Sequence, residues 1–400
     1  MCWGWMRRSG AVPRGGDGCV GAAGGPRIGG DSEEAPLAQA KMPDVPLPTP
    51  GDRVPNLFLP DQRGVVISLA DKSRGGPVVL LFYPTRRDPA AAAEMQALGR
   101  LAPELLAAGA HLFTIGGDSE ADTVAFALRN GIGAGVHACA DPNGRAAAHC
   151  GLSGRLAGLV LDPNQRITEV LLPRDGPIVA RAAERVRAWV RPQSFAAPMH
   201  PPILIIPDAL EPDFCRHLIE QYEVRGNKAS GTQRTVDGRM VHDTSGETKR
   251  RRDHHVEDPD LMEAIGTRIG RRVLPEIRRA FHCDASQVEE FKIVCYDSEP
   301  GGWFLPHRDN TTPGTAHRRF AMTLNLNTGE YDGGELWFPE YGGATYAPAA
   351  GTAVVFSCAL LHEAKAVTRG SRFVLLSFFF DEAGRRLRER LQQQIAASRR

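Results

Sequence analysis

The stretch FKIVCYDSEPGGWFLPHRD, residues 291–309, decides how the second half of this 400-residue chain is read. Phe291–Tyr296 is short, apolar and rich in β-favouring residues, which predicts a strand. Glu299-Pro300-Gly301-Gly302 then supplies a turn. His307-Arg308-Asp309 follows, with an imidazole and a carboxylate two residues apart. In a strand, residues i and i+2 point the same way, so this spacing delivers both groups to one point.

Working outward, the pattern stays β-rich. Phe320–Leu326, Glu335–Phe338, Ala344–Ala347, Thr352–Phe356 and Phe373–Phe380 read as short strands, several parted by Gly- or Pro-containing turns. That pattern predicts a sandwich or jelly roll. Residues 203–285 precede it with one short strand and two helices. In the second helix Leu261, Ile265, Ile269, Val273 and Ile277 recur every fourth residue, an apolar face for packing. Helices ahead of a β-rich block suit a barrel braced on one side. There is no internal repeat.

Two nitrogens and one carboxylate on one face of Fe(II) leave positions open for other ligands, the pattern of non-haem iron oxygenases. Three pairs have the spacing: His255-x-Glu257, His282-x-Asp284 and His307-x-Asp309. The first is expected in a charged loop and the second at a helix end. Only the third follows a strand and precedes strands that lead to a later histidine, His362. His317 lies between them in what reads as a polar loop. Taken alone, His-x-Asp is commonly a pair of surface residues, so its context decides.

That context resembles the 2-oxoglutarate/Fe(II) dioxygenases of the prolyl 4-hydroxylase type. The residues that carry the resemblance are Tyr296, Gly301-Gly302, His307-Arg308-Asp309, Gly333-Gly334-Glu335, Pro348-Ala349-Ala350-Gly351, His362 and Arg372, in that order. The resemblance implies a double-stranded β-helix (jelly-roll) domain over 203–382. It implies His307, Asp309 and His362 as metal ligands, with Fe(II), 2-oxoglutarate, O2 and ascorbate as cofactors and co-substrates. It further implies that Arg372 binds the C5 carboxylate of 2-oxoglutarate and that Tyr296 assists. A buried carboxylate needs a cation, and arginine meets it in a bidentate way. Thr323, on a predicted barrel strand, is a further candidate contact. The implied reaction hydroxylates a peptide residue, prolyl or another, or a small molecule.

Residues 51–190 alternate strands and helices, an α/β pattern. Val78–Tyr83 and His111–Ile115 read as strands, a helix runs between them through Met95, Leu98, Leu101 and Leu105, and Pro103 interrupts it. Ser119 to Gly131 brackets a second helix, Gly158–Leu161 with Ile167–Leu172 a hairpin, and Pro177 to Val190 a last helix. This region resembles the peroxiredoxins, which implies a thioredoxin-like fold. The matching text is VVLLFYPTRRDPAAAAEM, HLFTIGGDSEAD, DPNGRAAAHCG and GLVLDPNQRITEVL. Aligning Pro84 and Glu94 with that family's motif puts Asp88 at its threonine and Ala91 at its peroxidatic cysteine. The thiolate is the nucleophile of that chemistry, so Ala91 implies a fold without the activity. The helix N-terminus with Arg86 and Arg87 is left as a candidate anion site. Arg155 falls one place from the family's second arginine.

The expected organisation is a disordered segment over 1–50, the thioredoxin-like domain over 51–190, a Pro-rich linker over 191–202, the oxygenase domain over 203–382 and a helical tail over 383–400. Met42 is a candidate start of translation. Charge nearly balances at +1, and apolar runs are short, so neither nucleic acid nor membrane is expected as partner. The basic run Lys249–Arg252 reads as a solvated loop. Eight scattered cysteines, without a Cys-x-x-Cys pair, suit a reducing cytoplasm. A thiol redox protein using Cys139 or Cys150, and a non-catalytic scaffold, are the competing readings. Homo-oligomerisation or partner docking through the peroxiredoxin-like domain is a further expectation.

Overall fold

The computed structural model of the chain describes residues 46–73, 75–189, 199–236, 239–243 and 248–398. Residues 1–45 of the expected disordered segment and 191–198 of the expected linker lie outside the described residues, as do Cys2, Cys19 and Met42. Residues 46–50 differ from the expectation of disorder. Leu47 packs against the core that holds Val78, Leu80 and Phe82, and the Thr49 amide donates to Asp52 Oδ2 at 2.8 Å.

Val78–Tyr83 is fully buried because it feeds two cores at once. Val79, Leu81 and Tyr83 enter one cluster, and Val78, Leu80 and Phe82 enter the other, as a two-residue period requires. The strand centres a five-stranded sheet in the order Val136–Ala140, His111–Gly116, Val78–Tyr83, Ala157–Leu161, Ile167–Leu171. The first three run parallel and the last two antiparallel. Helices Pro89–Ala107 and Ile178–Ala188 cover the first of these cores. Pro103 is contained within its helix and does not end it. This is a thioredoxin-like α/β fold. Strand Val136–Ala140 had no expectation, because its text, VHACA, is small and mixed.

The second half is a jelly roll of two facing sheets. The larger carries Ile203–Ile206, Ala353–Ser357, Phe320–Asn325, Ser371–Phe380, Lys292–Asp297, Arg252–His255 and Lys228–Ala229 in that order. The smaller carries Lys249–Arg250, Trp303–His307, His362–Ala364, Leu336–Trp337 and Thr345–Tyr346. On the long strand Ser371–Phe380, Phe373, Leu375 and Phe379 meet the bracing helices. Arg372, Val374, Leu376 and Phe378 alternate with them and so face the opposite side, toward the smaller sheet.

Two expectations are corrected here. The apolar series Leu261 to Ile277 belongs to two helices, Pro259–Arg272 and Leu274–Phe281, not one. Pro275 cannot donate to a continuing helix, yet all five apolar residues remain buried in one cluster. The basic run Lys249–Arg252 is not a solvated loop. It lies on two strand segments, with Lys249 buried, the Arg251 side chain 7% exposed, and Arg250 and Arg252 outward.

The two halves meet through charge. Arg53 donates to both oxygens of Glu276, at 2.6 and 2.9 Å. Asp52 accepts from Arg271, and Arg272 Nε lies 3.4 Å from its other oxygen. Arg272 also donates to Glu211, while Arg166 donates to the Pro207 carbonyl. Asp52 and Arg272 are 5% and 4% exposed, and without Asp52 the buried Arg272 would keep Glu211 as its carboxylate. Asp52→Ala should therefore destabilise the chain by roughly 1–3 kcal/mol in chemical denaturation, the cost of hydrogen bonds lost from partly compensated arginines. A midpoint equal to wild type would show that this contact carries no stability.

Candidate active site

His307 ends one strand of the smaller sheet and His362 begins its antiparallel neighbour, directly opposite in register. Asp309 follows two residues after His307, held by a backbone bond from its amide to the Cys358 carbonyl at 2.9 Å. His307 Nε2 lies 3.5 Å from Asp309 Oδ1, and His362 Nε2 lies 3.4 Å from Asp309 Oδ2. One ligand atom from each residue falls within 4.8 Å of the others.

Tautomer and charge suit a metal. His307 Nδ1 contacts the Leu305 carbonyl at 2.8 Å and His362 Nδ1 the Leu360 carbonyl at 3.0 Å. A carbonyl only accepts, so each Nδ1 carries the proton and each Nε2 lone pair is left for a cation. Burial pushes the His362 imidazole down to about 4, against the pull of Asp309, so it is neutral at neutral pH. Asp309 feels burial too, which would raise it, but the two histidines hold it below the ordinary carboxylate range. Two imidazoles and a carboxylate match the donor set of non-haem Fe(II). Phe356 packs edge-on to His362 with ring centroids 4.6 Å apart.

A cavity of about 830 Å³ opens from these residues, and Arg372 lines it. Arg372 is 3% exposed and pairs in register with Tyr296 on the adjacent strand. Its Nη2 donates to Asn325 Oδ1 at 3.2 Å, and its Cζ is 5.3 Å from the Tyr296 ring centroid. Guanidinium has five N–H donors, so several remain for an anion. Gly334 has φ +70°, and a Cβ there would stand 2.8 Å from Arg372 Cδ. The Gly-Gly-Glu block thus contains a glycine that makes room for the arginine. Tyr296 OH accepts from Arg251 Nη1 at 3.1 Å, which leaves its own proton to donate. Thr323 also lines the cavity.

The remaining histidine pairs do not join this site. His255 contacts Glu290 Oε2 at 2.6 Å at the surface, and His282 terminates a helix with φ 50°. His317 is 2% exposed, not in an open polar loop. Its Nε2 contacts Glu289 Oε1 at 2.7 Å, and Arg318 donates to the same carboxylate. Sequence reasoning missed Lys249, Arg251 and Asn325. The available signals were alternation in Lys-Arg-Arg-Arg and a polar residue closing the apolar run FAMTLN.

In the thioredoxin-like half, Ala91 is fully buried on helix Pro89–Ala107. Asp88 caps that helix through the Ala90 amide at 2.9 Å. Arg86 is engaged by Asp122 at 3.0 Å, and its amide by Asp118. Glu94 accepts from the Ile178 and Val179 amides at 2.9 and 2.8 Å and so caps another helix. Cys139 and Cys150 are buried, and burial pushes both thiols up to about 12, far from the reactive thiolate.

Comparison with known proteins agrees with both halves. Residues 291–380 match the 2OG-Fe(II) oxygenase superfamily, and residues 50–170 match the AhpC/TSA family. A PKHD-type hydroxylase of Paracoccus denitrificans is 31% identical over 192 residues, spanning 45% of this chain and 78% of that protein. This chain belongs to the 2OG-Fe(II) oxygenase superfamily. Among solved structures, the oxygenase is similar to a viral collagen prolyl hydroxylase from Paramecium bursaria Chlorella virus-1. That match has 16% identity and a TM-score of 0.34, and covers 44% of this chain and 94% of that one. A peroxidoxin from Mycobacterium tuberculosis matches at 26% identity and a TM-score of 0.32, over 36% of this chain and 98% of its own. The family implies Fe(II), 2-oxoglutarate and O2, and the oxygenase carries a donor set that fits them. No helix among the described residues is long and apolar enough to cross a membrane.

Peroxide chemistry gives a test of the first half. Ala91→Cys would place a thiol at a fully buried position, beside an Asp88 already committed to the helix cap. It is expected to stay inert to hydrogen peroxide when followed by thiol titration. Rapid oxidation would show that the ancestral pocket survives.

Proposed function

We propose that the chain is an Fe(II)- and 2-oxoglutarate-dependent hydroxylase, with His307, Asp309 and His362 as the iron ligands. The observation that carries this reading is the His-Asp-His cluster opening onto the same cavity as the buried Arg372. Iron and 2-oxoglutarate, when bound, supply dioxygen activation: one oxygen atom goes to the substrate C–H bond and the other to succinate, with release of CO2.

The protein's own residues prepare the site. Leu305 and Leu360 carbonyls fix both imidazoles with Nε2 toward the metal position. Arg372 takes the C5 carboxylate of 2-oxoglutarate, steadied by Asn325, while Tyr296 donates its hydroxyl proton to the same group. Phe356 and Phe338 keep water from the buried face of His362.

The substrate in this reading is a peptide residue, prolyl among the candidates, or a small molecule. The similarity to a protein named as a PKHD-type hydroxylase supports hydroxylation as the outcome. Ascorbate as reductant and a cytoplasmic location belong to the same proposal. So does a division into a thioredoxin-like unit over 51–190, used for docking or self-association, and an oxygenase unit over 203–382.

Two tests follow. His307→Ala and His362→Ala should each abolish Fe(II)-dependent succinate formation while circular dichroism stays native. Wild-type turnover in either would remove the ligand assignment. Arg372→Ala should weaken 2-oxoglutarate binding by about two to three and a half decades, since losing one partner of a buried charge pair costs roughly 3–5 kcal/mol. Unchanged affinity for 2-oxoglutarate, measured by calorimetry, would refute its role.

A further inference from the structure

The cavity walls carry more cations than the co-substrate requires. The four acidic side chains that line it are each matched. Asp253 pairs with Arg251 at 2.9 Å, Glu289 with Arg318 at 2.8 Å, and Glu290 with Lys292 at 2.7 Å. Asp309 faces the two histidines. Lys249 is different. It is 9% exposed and has no carboxylate partner among the described residues. Its Nζ donates one hydrogen bond, to the Gly231 carbonyl at 2.7 Å, and lies 5.1 Å from the Phe304 ring centroid. An ammonium has three donors, so among the described residues two remain for the cavity that Lys249 lines.

Position adds to this. Lys249 pairs in register with Phe304, on the strand that carries His307. Arg251 stands beside it, between Asp253 and the Tyr296 hydroxyl. Burying an ammonium without a contacting carboxylate is costly, and burial pulls the Lys249 amine down to about 7, with Arg251 adding to the effect against the pull of the more distant Asp253 and Asp309. A group kept in that condition beside a catalytic centre is explained by an anion that arrives with a ligand.

We propose that Lys249, backed by Arg251, recognises an anionic group of the primary substrate, a carboxylate or a phosphate carried close to the carbon that is hydroxylated. This rests on the oxygenase reading, in which Arg372 is already taken by the co-substrate. The substrate is then acidic at that point, and not merely a neutral prolyl peptide.

The test uses the full chain loaded with Fe(II) and 2-oxoglutarate without oxygen. It is titrated calorimetrically with acetate and, separately, with inorganic phosphate. Wild type is expected to bind at least one of them, and Lys249→Met to bind it at least about tenfold more weakly, with 2-oxoglutarate affinity changed by less than about twofold. The anion that binds more tightly identifies carboxylate or phosphate as the recognised group. Lys249→Met should also melt at a higher temperature than wild type without ligands, because an unmatched buried charge has gone. Equal anion binding by both proteins, no binding by wild type, or a lower melting temperature in the variant would each overturn the proposal. So would a loss of 2-oxoglutarate affinity like that of Arg372→Ala, which would make Lys249 a co-substrate residue. Failure of wild type to bind 2-oxoglutarate at all has a different signature and would overturn the oxygenase reading itself.

Discussion

The register that sets His307 opposite His362 is the constraint on which the oxygenase half depends. A slip of one residue in either strand would turn an imidazole to the other face of the sheet. The backbone bond between Asp309 and Cys358 pins the same pair of segments just beyond the histidines. The larger sheet answers from the other side, because alternation along Ser371–Phe380 puts Arg372 on its inward face. The His-Asp-His cluster and the buried Arg372 guanidinium thus come from separate sheets and meet across one cavity. Neither sheet holds the site by itself.

Buried charge is the second organising force. Arg372, Arg251, Lys249, Glu289 and Asp309 all border the cavity, where each ion must find a partner or wait for one. Glu289 illustrates a settled case. Burial alone would raise its carboxyl, but hydrogen bonds from His317 and Arg318 outweigh that and bring it down to about 2. Those bonds also fix the segment after Asp309, since Arg318 reaches back to the Asp309 carbonyl.

Much of this was legible in the sequence where one residue type admits one explanation. A lone arginine at the start of an apolar strand, as in Arg372–Phe380, marked a charge facing inward, and Arg372 is buried. His-x-Asp with a later histidine on a strand is similarly restrictive. The continuous apolar run Val78–Tyr83 declared a strand buried on two faces. What escaped were charged residues whose burial depends on distant partners. Lys249-Arg250-Arg251-Arg252 looks like a solvated run, since nothing local reveals that Tyr296 and Asp253 await two of its members. His317 is hidden for the same reason, its partner Glu289 lying on another segment. The break between helices at Val273 was obscured because the apolar spacing continues across it.

Glu94 and Asp52 give the thioredoxin-like half a meaning of its own. Glu94 holds the start of another helix through two amides, so a residue aligned with a reactive motif now serves as scaffolding. Asp52 supplies the carboxylate for Arg271 and Arg272, which belong to the other half, and Arg53 does the reverse for Glu276. Each half therefore carries ions whose counter-ions belong to the other half. Charge complementarity thus ties the sheet built on Val78–Tyr83 to the one built on Ser371–Phe380.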